Sequence, residues 1–389
     1  MMRIVLLVLA LMLAAPAAQA QLGLPQLPNV GGAAGDALNR TSNTANQTLN
    51  DVEELTQART NQVRSLLRRH RRELEADPDG QPIVRSQILA LAPSAEALER
   101  ARGEGFQVVR SDDLEGGALV VLRAPRGLST RRALARLREA DPQGVYDFDH
   151  LHLESGIAAI APVVAQQSAA GGPRIGLIDG GIANNSAVIA QRAFSSAAPV
   201  ASNHGAAVAS LLARAAPGAR ILVADIYGGA PTGGSSAALA RALSWLAGEN
   251  VPVINVSLVG PRNRIVEVMV ARVVQRGVVI VAAVGNDGPA AAPLYPSAYN
   301  GVVGVTGVDA RGRVLMEAVR GPQVDLAALG LHSDPRVRGT SFAAPIVAGL
   351  IAESSLQRVR TGAQDLGARG RDDVYGEGLV GGNLLAAAR

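Results

Sequence analysis

From Arg174 onward the chain alternates short, wholly apolar runs with longer stretches of small and apolar residues at helical spacing. The apolar runs are Arg174 to Asp179, Ile221 to Ile226, Val251 to Leu258, Val278 to Val284 and Gly301 to Val308. Runs of this kind predict strands covered on both faces. The stretches His204 to Ala213, Ser235 to Glu249, Val266 to Arg276 and Ser341 to Gln357 predict helices. The alternation predicts an α/β domain over 174–389 with a doubly wound, mostly parallel sheet. In that architecture the chemistry gathers at the carboxyl ends of the strands.

Upstream the pattern is different. Strands are predicted at Gln87 to Leu91, Phe106 to Arg110, Gly117 to Arg123 and Val145 to Leu153, with helices at Ser94 to Gly103 and Thr130 to Ala140. The order βαββαβ over 82–153 predicts a small α+β module of ferredoxin-like type. Residues 37–76 lack Gly and Pro and carry apolar residues at spacings of three, four or seven, which predicts one or two amphipathic helices. The turn signal Asp77-Pro78-Asp79-Gly80 is expected to end them. Residues 21–36 read as a flexible lead and belong with the helical region in a segment 21–81; residues 154–173, rich in Ala, Gly, Pro and Gln, read as a linker.

The first 20 residues predict a bacterial secretory signal. Arg3 supplies the positive end, Ile4 to Ala15 the apolar run, and Ala18-Gln19-Ala20 the cleavage site. The run is short for a bilayer span of about 20 residues, so no transmembrane anchor is expected. The chain has no cysteine, which excludes disulfides and thiolate metal sites. All 37 basic residues are arginine and the net charge is only +4, which is no footprint for nucleic acid. Export to the periplasm or the medium is the expected destination.

Three polar residues fall at predicted strand ends or helix starts, in the order Asp179, His204, Ser341. Asp179 closes its strand in Asp-Gly-Gly, and His204 opens a helix of small residues. Ser341 follows Gly339-Thr340 at the start of the last apolar helix, where free N–H groups favour a developing oxyanion. Only His204 and His332 occur after residue 152, and only His204 precedes a small-residue helix. Asn286, in Val284-Gly285-Asn286-Asp287-Gly288, ends a buried strand and offers an amide donor for an oxyanion hole. Together these residues suit nucleophilic acyl transfer. No cofactor or metal is called for.

The segment 173–389 resembles the subtilisin (subtilase) family of serine peptidases. The resemblance is carried by Ile175 to Gly181, Asn203 to Ala209, Val253 to Pro261, Ala282 to Gly288, Leu294 to Tyr299 and Gly339 to Gly349. It implies a catalytic triad of Asp179, His204 and Ser341 with Asn286 as oxyanion donor. It also implies that an extended peptide adds as a strand along Ser257, Leu258, Val259 and Gly260, with Ala283 and Gly285 lining the neighbouring pocket. The module 82–153 resembles the family's inhibitor-type propeptide, which implies that it assists folding, blocks the cleft intramolecularly and is removed by self-cleavage within 150–172. Gly180 and Ala206 stand where the family carries hydroxyl residues. Those two positions favour the other reading of the residues, an exported peptide-binding protein without activity. A serine-directed phosphonate separates the two, since a binding protein does not react.

Overall fold

The computed structural model describes residues 59–158 and 171–382, apart from 184 and 335. The predicted signal peptide, the lead and most of the predicted helical region lie outside the described residues, as does 159–170 of the predicted linker. Helix α1 spans residues 59–69. Where a helix is expected through residue 76, the chain instead forms β1 (Leu74–Ala76), antiparallel to the start of β2 (Pro82–Leu91). The Asp77 carboxylate accepts the amides of Asp79 and Gln81 at 2.9 and 2.7 Å, and Gly80 takes φ +81°. The turn signal therefore closes a hairpin, and it does so because Leu74 is buried against Val84 and Leu151.

The chain continues through α2 (Ala95–Gly103), β3 (Gln107–Leu114), β4 (Gly117–Arg123), α3 (Thr130–Ala140) and β5 (Val145–His150). Ser94 and Ser129 cap the two helices by accepting the amides of Ala97 and Arg132. The strands form one antiparallel sheet in the order β5-β2-β4-β3, with β1 on the first part of β2. Two short strands follow, β6 (Leu153–Glu154) and β7 (Ile157–Ala158), at the start of the stretch expected as a linker.

The larger sheet contains β8 (Arg174–Asp179), β9 (Val188–Ala193), β10 (Arg220–Asp225), β11 (Val253–Val256), β13 (Val279–Ala283), β14 (Val302–Val308) and β15 (Leu326–Leu329). The short β12 (Leu258–Val259) lies outside it. Its order is β15-β14-β13-β11-β8-β10-β9, and every pairing is parallel. Helix α4 (Asn203–Ala215) packs on one face with α7 (Ala344–Glu353), while α5 (Ser236–Gly248) and α6 (Arg264–Gln275) cover the other. The expected doubly wound α/β sheet is therefore present. β16 (Leu331–Ser333) and β17 (Arg336–Arg338) form a small sheet with β7. Among the described residues no helix is long and apolar enough to cross a membrane.

The helix expected over Ser341 to Gln357 is broken into three pieces. Thr340–Phe342 is a single 3-10 turn, α7 follows, and α8 (Leu356–Thr361) starts afresh at the cap Ser355. Pro345 has no N–H to give to the Ser341 carbonyl. That carbonyl accepts from Ser257 Oγ at 2.8 Å instead, which holds Ser341 out of the α-helix.

The α4–α7 contact depends on Gly349. A Cβ there would lie 2.6 Å from Ala215 Cβ and 3.1 Å from its backbone carbon. Gly349→Val is expected to force the helices apart at a cost of about 1–3 kcal/mol, read as an earlier denaturation midpoint.

Candidate active site

Parallel pairing places Asp179, at the end of β8, deep in the crevice between the strand ends and the start of α4. Its carboxylate is 1% exposed. His204, in the first turn of α4, turns Nδ1 onto both Asp179 oxygens at 2.9 Å, and the Gly180 amide donates to Oδ1 at 2.7 Å. Gly205 makes that approach possible. A Cβ at 205 would stand 2.5 Å from the Gly180 carbonyl oxygen and 3.2 Å from Asp179 Oδ1. Burial by itself would depress the His204 imidazole. The Asp179 charge and hydrogen bond, the Glu154 charge and the Ser155 carbonyl outweigh it and raise the ring to about 9.

Ser341 is fully buried, and its neighbour Phe342 packs against His204 with ring centroids 5.2 Å apart. The Ser341 hydroxyl donates to the Ser257 carbonyl at 3.0 Å, not to His204. His204 Nε2 is buried without a hydrogen bond of ordinary geometry. The structure thus joins Asp179 to His204 and brings Phe342, the residue after Ser341, against the ring, with the serine hydroxyl turned to Ser257.

Asn286 is aimed by Thr340. Its Oδ1 accepts the Thr340 amide at 3.0 Å, and Thr340 Oγ1 in turn accepts the Gly285 amide at 3.1 Å. Gly285 takes φ +106°, the left-handed turn that brings the chain out of β13. Asn286 Nδ2 is left pointing into the cleft, where it donates to Ser155 Oγ at 2.7 Å. Ala283 is wholly buried in the core shared with α4 and α7. Asp287, next to Asn286, is paired with Arg59 of α1 at 3.0 Å.

The predicted substrate strand is occupied by the chain itself. β6 pairs antiparallel with β12, Glu154 opposite Leu258 and Leu153 opposite Val259. Before it, the His152 amide donates to the Gly234 carbonyl at 2.7 Å, and its ring covers Gly260, where a Cβ would be 2.5 Å from the imidazole. After it, Gly156 passes so close to Phe342 and the Arg338 carbonyl that a Cβ would lie 2.8 and 2.9 Å from them. Beyond Gly156, β7 pairs with β17.

The strand leading into the cleft is tied down by its acids. Asp147 and Asp149 project to the same face of β5. Asp147 accepts the Arg264 amide at 2.7 Å and Asp149 the Ala237 amide at 2.9 Å, so each sits at the positive end of a helix, α6 and α5 respectively. Burial raises the Asp149 carboxyl to about 6 despite that amide and the charges of His150 and Arg241. The Asn263 side chain donates to the Phe148 carbonyl at 2.8 Å, and His150 Nε2 meets Asp77 at 3.1 Å.

The residues 172–358 match a family described as the subtilase family of peptidases. Subtilisin Savinase from Lederbergia lenta is 30% identical over 194 residues, which are 45% of this chain and 70% of that protein. The chain belongs to the subtilase family. A thermostable alkaline protease from Halalkalibacterium halodurans is also 30% identical, over 38% of this chain and 45% of its own length, so the chain spans less than half of that relative. The crystal structure of fervidolysin from Fervidobacterium pennivorans, a keratinolytic enzyme related to subtilisin, superposes with TM-score 0.65 at 17% identity, over 80% of this chain and 62% of that one. At that identity the likeness is one of fold, and the fold is subtilisin-like.

Four residues of this subtilase site have no motif that announces them: Glu154, Ser155, Ser202 and Asp225. Ser202 is legible only as a polar residue just before a helix, an N-cap signal. Its Oγ accepts the amides of His204 and Gly205 at 3.1 and 3.3 Å. Asp225 binds the amides of Val200, Tyr227 and Gly228, which fixes the loop before α4 and the turn after β10. Gly180 follows from Ser202. A Cβ at 180 would lie 2.4 Å from Ser202 Cβ, so the space of a side chain at 180 is taken by the serine opposite. Gly180→Ala is expected to destabilise the fold by about 1–3 kcal/mol. Ser202→Gly should recover part of that loss, and a double-mutant cycle by thermal melting reads the coupling. Strictly additive effects would show that the two positions are independent.

Proposed function

We propose that the chain is the exported, self-inhibited precursor of a serine endopeptidase that cleaves protein or peptide substrates. The observation that carries this reading is the path of residues 152–158. Leu153 and Glu154 pair with β12 as an extended substrate would, and Ser155 meets Asn286. In the mechanism, Ser341 Oγ leaves the Ser257 carbonyl, gives its proton to His204 Nε2 and attacks the scissile carbonyl. Asp179 holds the imidazole through Nδ1 and stabilises the imidazolium. Asn286 Nδ2 and the Ser341 amide take the oxyanion. His204 then donates the proton to the leaving amine, and water repeats the sequence on the acyl-enzyme.

The sheet order β5-β2-β4-β3 with α2 and α3 supports a ferredoxin-like pro-segment over 82–153. We assign it the role of intramolecular inhibitor, held by Asp147 and Asp149 on the two helix starts. We assign self-cleavage to the bond between Ser155 and Gly156, inside 150–172, a choice supported by the pairing of Glu154 with Leu258 and by the contact of Ser155 with Asn286. The apolar run and Ala18-Gln19-Ala20 support export through a signal peptide, with removal of residues 1–20.

Ser341→Ala is expected to leave the fold intact and to lower peptide hydrolysis by on the order of a millionfold. The same variant should remain uncut, while the active chain yields a product whose N-terminal sequencing begins at Gly156. Proteolysis undiminished in Ser341→Ala overturns the assignment.

Self-cleavage needs the neutral form of His204. With the ring raised to about 9 in the threaded chain, only about 1% is neutral near pH 7. Precursor held at low pH and moved to buffers between about pH 6 and pH 10 should process about tenfold faster per unit and level off above about 9. A rate independent of pH across that range would contradict the role given to His204.

A further inference from the structure

We propose that this peptidase selects a side chain with an acceptor oxygen, a carboxyl or a carboxamide, at the residue preceding the one that gives the scissile carbonyl, and that the Ser202 hydroxyl reads it. The inference rests on the peptidase reading above and on the register it assigns. In that register Ser155 gives the scissile carbonyl and Glu154 occupies the selected position, opposite Leu258.

The chemistry of the subsite follows from counting hydrogen-bond capacity. A serine hydroxyl has two acceptor lone pairs and one donor. Ser202 Oγ spends both lone pairs on the amides of His204 and Gly205, the second and third residues of α4. Only its proton is left, and it is given to Glu154 Oε1 at 3.1 Å. Ser202 therefore offers this position a donor and no acceptor. It satisfies a carboxyl or carboxamide oxygen and leaves an aliphatic side chain unmatched.

Space acts in the same direction, while the neighbouring carboxylates oppose a further negative charge. Gly180 has no side chain, which leaves room for Ser202: a Cβ at 180 would lie 2.8 Å from the Ser202 hydroxyl, and only in ordinary contact, 3.6 Å, with Glu154 Oε1. Ligand atoms of Glu154, Asp179 and His204 all lie within 4.8 Å of one another. The imidazolium that forms as Ser341 attacks thus develops beside a second carboxylate. Asp179 on β8, Asp225 on β10 and the Tyr227 phenol after β10 also face this group. Burial, Asp179 and Asp225 push the Glu154 carboxyl up, while the His204 charge and the Ser202 hydrogen bond oppose them. Either protonation state keeps an acceptor oxygen for Ser202.

The test uses the mature enzyme and quenched-fluorescent peptides of the sequence His-Leu-X-Ser-Gly-Ile-Ala, with X as Glu, Gln, Leu or Lys. The expected result is a higher kcat/KM for the Glu and Gln peptides than for the Leu and Lys peptides, by about two- to tenfold. The acid limb of kcat should lie at higher pH for the Glu peptide than for the Gln peptide, because a carboxylate beside His204 favours its protonated form. Ser202→Ala should bring the Glu-to-Leu ratio towards one. If that variant does not fold, the four peptides on the unaltered enzyme decide alone. Equal rates for Glu and Leu, or a ratio unchanged in folded Ser202→Ala, overturns the inference and leaves the peptidase reading standing. No cleavage of any peptide overturns both.

Discussion

A buried pair of charged groups, Asp179 and His204, is the constraint around which this structure is arranged. Water does not reach either side chain, so every polar atom must be met by protein. Breaking such a pair by removing one partner costs about 3–5 kcal/mol, because the other is left buried and unmatched. The surroundings follow from that demand. Gly205 exists so that the Gly180 carbonyl and the carboxylate come close to α4. Gly180 gives its amide to the same carboxylate, and Ser202 caps the helix that carries the histidine. Parallel pairing of β8 and β10 sets Asp179 level with Asp225, which ties down the loops that carry Ser202.

The chain's own segment completes the cleft rather than merely covering it. Leu153 and Glu154 satisfy the edge of β12, which would otherwise present open backbone groups. Ser155 answers Asn286, and Glu154 answers Ser202. Asp147 and Asp149 supply negative charge where α6 and α5 begin. A substrate-like path and a helix-capping strand are thus two parts of one continuous attachment. Its strength comes from polar groups on the larger domain that are unsaturated without it.

Much of this was legible in the residues. The apolar runs that end in Asp179 and Val284 fall where the strands are, because strands buried on both faces leave little room for polar interruption. The serines before α2, α3 and α5 mark their starts, since a hydroxyl there meets a free amide. Helical spacing misled at 70–76, where Leu74 belongs to a hairpin buried against Leu151. It also misled after Ser341, where Pro345 withholds a donor and Ser257, 84 residues earlier, takes its place. β9 and β15 were missed as well, since β9 is half exposed and β15 is only four residues long.

By itself the sequence determined the α/β alternation of the larger domain, the βαββαβ order before it, and the order in which Asp179, His204, Asn286 and Ser341 occur. These depend on local composition and on motifs a few residues long. Tertiary structure alone decided which groups meet. Glu154 and Ser202, Ser155 and Asn286, and Asp149 and α5 are each separated by 48 or more positions, and nothing local encodes their contact. It also decided the meaning of Gly180, which in the sequence is a missing hydroxyl and in the folded chain is the space that Ser202 fills.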